Sequence, residues 1–179
     1  TITGKNVGSY TNVATYTWSV KKGDNSDSTG NYTITVTGTL KITANDDGLS
    51  VAGETKEQVY NGQALVGAGT ATADDGSAST VKYAVKDENG EYGAWSETAP
   101  SITDVGVVTY KVQASNPNYE TVESDEYTLT VTPAAITVTD TLSVEYNGAD
   151  QTLTITADKA SGVVTGETLT LTGATITGK

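Results

Sequence analysis

The sequence predicts an all-β chain made of antiparallel β-sandwich modules in tandem. Three observations lead there. Apolar residues alternate with threonine at period two, turn dipeptides punctuate the chain, and the chain resembles itself at a spacing near half its length. No stretch sustains a helical period, so nothing competes with the strand reading.

Taken from the front, NYTITVTG (31–38) is the first clear strand: Tyr32, Ile34 and Val36 point one way and Thr33, Thr35 and Thr37 the other. EYTLTVT (126–132), DQTLTITAD (150–158) and ETLTLTGATIT (167–177) repeat the pattern. Each predicts a half-buried strand with an apolar and a wet face, as in antiparallel sheets covered on one side. Between strands lie YNGQ (60–63), DDGS (74–77), ENGE (88–91) and YNGA (146–149). There a glycine supplies positive φ and Asn or Asp bonds the backbone two residues on.

The self-similarity sets the domain expectations. Asn61-Gly62 recurs as Asn147-Gly148, an offset of 86, and Asn31-Tyr32 precedes Asn118-Tyr119 by 87. TITGK at 1–5 returns at 175–179, which spaces the outer repeat at 174 residues, twice the inner one. The chain therefore reads as a window cut out of phase. Residues 46–133 are expected to form a whole module, 136–179 the early strands of a second, and 1–44 the final strands of a third.

Composition narrows the chemistry. The chain has no Cys, His, Met, Phe or Arg, and ten lysines face 22 acids for a net charge of −12. Thiol nucleophiles, imidazole bases, zinc fingers and disulfides are excluded for want of their side chains. The charge argues against nucleic acid, which needs clustered cations. Residues 46–133 hold 15 acids and four lysines, so like-charge repulsion disfavours association of that part at low salt. No apolar run approaches the roughly 20 residues that span a bilayer. Paired acids such as Glu120, Glu123, Asp125 and Glu126 crowd one loop-to-strand edge instead of facing across a cleft, so an enzyme is not expected.

Within 46–133, Tyr60-Asn61-Gly62, Trp95-Ser96 before Pro100, Asp104-Val105-Gly106, and Asn118-Tyr119 before the last strand are the recurrent marks of one family. On them the central module resembles the MBG or YDG domains, Ig-like repeats of large bacterial surface proteins. The flanks match through Tyr146-Asn147-Gly148 and through Asn6-Val7-Gly8-Ser9-Tyr10. The resemblance implies Ig-like sandwiches, an extracellular location on or released from the bacterial surface, and a stalk or adhesin role without catalytic residues. NVGSY also looks like the turn of a tyrosine corner, in which the phenol ties a strand start to its preceding loop. Val108 takes that position in the central module.

Several residues invite sharper readings. Tyr92 and Trp95 in GEYGAWS form an aromatic pair that would stack sugars, or Trp95 fills the sandwich core. Asn45, Asp46 and Asp47 at the expected module junction offer oxygens to calcium, or are a solvated turn. Lys41, Lys82 and Lys111 fall on outward positions by strand parity, which disfavours lysine crosslinks. The threonine rails suit solvated strand faces, and sheet twist works against a flat ice-matching lattice.

The expected function is a structural repeat of a surface stalk, adhesin or filament, with modules joined head to tail to neighbouring copies. The alternative is an adhesion module presenting Tyr92 and Trp95, or the loop 21–31, to a glycan or host protein.

Overall fold

A computed structural model describes residues 1–13 and 16–179. The described chain is all-β. In chain order its strands are β1 (Gly8–Val13), β2 (Thr37–Ile42), β3 (Leu49–Gly53), β4 (Lys56–Val59), β5 (Leu65–Val66), β6 (Gly69–Ala73) and β7 (Thr80–Val85). They continue as β8 (Ser101–Ile102), β9 (Gly106–Asn116), β10 (Tyr119–Glu123), β11 (Tyr127–Thr132), β12 (Thr137–Val138), β13 (Gln151–Thr154), β14 (Ala160–Ser161) and β15 (Thr175–Gly178). Single 3-10 turns lie at Thr29–Asn31 and Ala157–Lys159. No described helix is long and apolar enough to cross a membrane.

The chain divides into two compact units. The first gathers 1–51, 70–81 and 113–123; the second gathers 52–69, 82–112 and 124–179.

In the first unit, β1 and β2 form an antiparallel pair in which Gly8 faces Ile42 and Tyr10 faces Leu40. β3 pairs with β6, and β10 returns along the end of β9 with Val122 opposite Ala114. Leu49, Ala73 and Ala114 are buried together, with Val51, Ala71, Tyr119 and Val122 packed around them. Asn116 ends β9 at 6% exposure and is fully engaged. Its amide nitrogen donates to Ser77 Oγ at 2.8 Å and the Ala78 carbonyl at 3.1 Å, and its oxygen accepts from the Asn118 N–H at 2.9 Å. A buried amide so satisfied holds the 77–79 loop instead of costing stability.

In the second unit, β11 is bonded on both edges. β9 runs antiparallel to it with Gly106 facing Val131, and β4 runs parallel with Leu129 beside Lys56 and Val131 beside Gln58. Tyr110, Val112 and Leu129 are 0% exposed and Val131 2%, so the alternating side chains of β9 and β11 make the core. Tyr83 and Tyr127 rings lie 6.2 and 6.0 Å from Tyr110, tilted as aromatic quadrupoles prefer. The Tyr110 hydroxyl donates to the Glu54 carbonyl at 2.7 Å and accepts from the N–H groups of Glu54 and Ala68 at 3.2 and 3.3 Å. β5 pairs with β8, β12 with β14 and β13 with β15, each antiparallel.

Two expected strands are absent. Tyr32–Val36 and the stretch 167–172 carry the alternating pattern but adopt no strand. Tyr32, Ile34 and Leu171 are 57%, 40% and 37% exposed, so nothing covers the apolar face that alternation prepares. An alternating run becomes a strand only when a partner takes its hydrogen bonds and a second layer takes its side chains. The core aromatic is also not the expected one: Trp95 is half-buried, and Tyr110 fills the centre of the second unit.

Candidate functional site

Tyr92 sits in a charged setting. The bridge between Lys86 and Tyr92 brings GEYGAWS back against β7, and the Lys86 and Lys111 ammoniums lie 5.6 and 5.1 Å from the Tyr92 ring centre. Lys86 also pairs with the Glu126 carboxylate at 2.7 Å. That bond, with the charges of Lys86 and Lys111, holds Glu126 below the usual carboxylate range. Loss of solvent around the Tyr92 hydroxyl, followed by the nearby carboxylate, pushes its pKa up to about 12. The hydroxyl is buried and finds no hydrogen-bond partner among the described residues. Two cations thus take the ring that a sugar would stack on. Glu126 was not legible as a partner of Lys86, because 40 residues separate the two and only the fold brings them together.

Asn45, Asp46 and Asp47 are exposed. The Asn45 side-chain oxygen accepts from the Asp47 N–H at 3.2 Å, which makes an Asx turn. The Asn45 backbone bonds the Asn118 carbonyl and the Glu120 N–H at 2.9 and 2.8 Å, so this turn is fastened to the start of β10. Among the described residues no three carboxylates gather in a way that would hold a metal ion. The loop 21–31 is similarly self-contained. Asp24 accepts from Ser26 Oγ at 2.6 Å and Asp27 from Thr29 Oγ1 at 2.6 Å, with the matching backbone N–H bonds at 3.0 and 2.9 Å.

The features that recur are turns and strand registers. Gly62 and Gly148 take φ of 77° and 75°, a region open to glycine, and Asn61 and Asn147 each accept from the N–H two residues on, at 2.9 and 3.0 Å. Both YNG copies are the same turn. Gly8 facing Ile42 and Tyr10 facing Leu40 reproduce Gly106 facing Val131 and Val108 facing Leu129, so β1–β2 repeats the β9–β11 pairing. The Tyr10 hydroxyl donates to the Asn6 carbonyl at 2.7 Å, the bond a tyrosine corner makes.

No family model, curated protein or solved structure matches this chain.

The two copies of this strand pairing differ in cover. Leu129 and Val131 are buried on β11, whereas Leu40 and Ile42 at the same register positions on β2 are only half-buried. β2 is bonded along one edge alone among the described residues, to β1. At the back of the chain, every residue from 141 to 150 is exposed, and Leu142, Val144 and Tyr146 reach 47%, 53% and 86%. Leu142, Val144, Leu153 and Ile176 line an open hollow of about 400 Å³. Between 132 and 179 no side chain is buried, and among the described residues before Leu49 only Ser28 is.

Proposed function

We propose that the chain is a structural repeat of an extracellular bacterial stalk, adhesin or filament, built from Ig-like modules of the MBG or YDG kind that assemble head to tail with neighbouring copies. The observation that carries this reading is the contrast between equivalent strands: β9–β11 is buried and bonded on both edges of β11, while its repeat β1–β2 keeps one edge and one apolar face open. Repeat proteins bury each unit against its neighbours, so a unit without a neighbour shows this deficit. The parallel pairing of an early strand with the last one, β4 with β11, supports a sandwich-type module over 46–133. The open faces at 1–44 and 136–179 support half-modules there.

The function is then to add length. Strands of about ten residues at roughly 3.4 Å make a module about 35 to 40 Å long, so a two-module repeat extends about 70 to 80 Å. Small-angle scattering on a chain carrying several tandem copies tests this. Maximum dimension should grow by that increment per copy, and an increment less than half as large overturns the spacer reading. The glycan-binding alternative has less support, because Lys86 and Lys111 occupy the Tyr92 ring and the loop 21–31 spends its aspartates on its own turns.

A further inference from the structure

We propose that residues 142–145 of one copy add as a parallel strand to the open edge of β2 in a second copy, with Leu142 beside Leu40 and Val144 beside Ile42. This rests on the head-to-tail reading above and specifies which segments meet, in which direction and in which register.

The template is in the molecule. Thr55 through Gly62 reads TKEQVYNG and Thr141 through Gly148 reads TLSVEYNG, both ending in the same turn, so Leu142–Glu145 stands where β4 stands in the central copy. β2 stands where β11 stands, by the register it shares with its own partner. β4 adds in parallel to β11 with Lys56 beside Leu129 and Gln58 beside Val131. Carrying that pairing onto the repeats sets Leu142 beside Leu40, Ser143 beside Lys41, Val144 beside Ile42 and Glu145 beside Thr43.

Three further features agree with this register. Neighbours across a parallel pair share a face, so Leu142 and Val144 extend the apolar row of Leu40 and Ile42, and a slip of one residue would set Leu142 beside Lys41 instead. Residues 142–145 form no strand and are exposed, as an unadded strand should be. The charges are also opposed. Residues 1–44 hold four lysines against two aspartates, and residues 136–179 hold five acids against two lysines. Lys41 and Glu145 would lie diagonally across the join on its wet face. Main-chain bonds supply the affinity in such strand addition and side-chain alternation supplies the selectivity. A head-to-tail contact of this kind uses two different surfaces, so it propagates instead of closing a dimer.

The absence of native cysteine makes the register directly measurable. Lys41→Cys and Ser143→Cys variants of the 1–179 chain are mixed, oxidised and sized, while sedimentation follows association of the unmodified chain and of Val144→Asp. The expected result is at least a tenfold excess of 41–143 heterodimers over like pairs, with association at least tenfold weaker in Val144→Asp. That variant should keep the parent melting temperature, because Val144 is exposed in the single chain. Association that persists without the 41–143 product, or that Val144→Asp leaves intact, overturns this register and leaves head-to-tail assembly standing. A chain that stays monomeric to millimolar concentration overturns both. A Lys41→Cys, Ser143→Cys double variant that only closes on itself overturns the second copy as the occupant.

Discussion

Tyr110 shows how one side chain fastens the second unit. It is 0% exposed, yet its hydroxyl reaches the backbone of Glu54 and Ala68, so the phenol closes the core and satisfies polar groups of two connections at once. Tyr110→Phe keeps the ring and leaves those backbone groups with one partner fewer, which should cost about 1–3 kcal/mol in denaturant unfolding. A loss below about 0.5 kcal/mol would mean that water replaces the hydroxyl. The aspartates of loop 21–31 act differently. Bonds from Ser26 and Thr29 hold Asp24 and Asp27 below the ordinary value of 3.8. A carboxylate depressed in the folded state contributes order above its ordinary value, and that order is lost as pH falls through the depressed one. Amide exchange at Ser26 and Thr29 should accelerate as pH falls below about 3.8, relative to the intrinsic rate. Asp27→Asn should abolish this pH dependence at Thr29.

Among the elements, the strand pairs β1–β2 and β9–β11 are a controlled comparison. Leu129 on β11 is covered on both sides and Leu40 on β2 is not. Leu129→Ala should therefore cost about 2–5 kcal/mol in equilibrium unfolding, whereas Leu40→Ala should cost under about 1 kcal/mol in a monomer. Equal losses would show that β2 is already covered. The same comparison explains what the sequence could reveal. EYTLTVT was legible as a strand because its pattern and its partners agree, and the YNG turns because glycine and asparagine act locally. NYTITVTG misled because its Thr rail and apolar rail are as regular as those of β11, while nothing in it encodes whether a neighbour is present. β2 instead begins at Thr37, where β1 offers hydrogen bonds. The tyrosine corner was legible at Tyr10, but the core tyrosine was not, since Tyr110 follows a plain run of Val and Thr and draws its importance from Glu54 and Ala68 far away in the chain.

For the whole molecule, composition decided more than any motif. A chain with −12 net charge, no imidazole and no thiol has few routes to chemistry, and Asp24, Asp27, Asp75 and Asp87 accept hydrogen bonds within their own turns. Calcium is the exception worth testing, because Asn45, Asp46 and Asp47 present oxygens to solvent. Ligand at a hundredfold excess over its dissociation constant stabilises by about 2.7 kcal/mol. Adding millimolar calcium to the chelator-treated 1–179 chain should leave the melting temperature within about 1 °C; a rise of several degrees would establish a site. The aromatic pair was half legible: Tyr92 was singled out by its neighbours in sequence, whereas Lys111 on β9 and Glu126 just before β11 come near it only through the fold.

The parallel pairing of β4 and β11 has a consequence for tension. The chain enters β4 at Lys56 and leaves β11 at Thr132, and the two strands run in the same direction. A pull applied at those two points drags the strands past each other, so the hydrogen bonds between them are loaded together and must fail together. In β1–β2 the strands run oppositely and Gly8 faces Ile42, so a pull at that end opens the pair one bond at a time. Single-molecule stretching with handles at 56 and 132 should accordingly meet a higher rupture force than with handles at 8 and 42. A parallel join between copies would load in the same shearing way, letting an uncrosslinked thread withstand tension along its length.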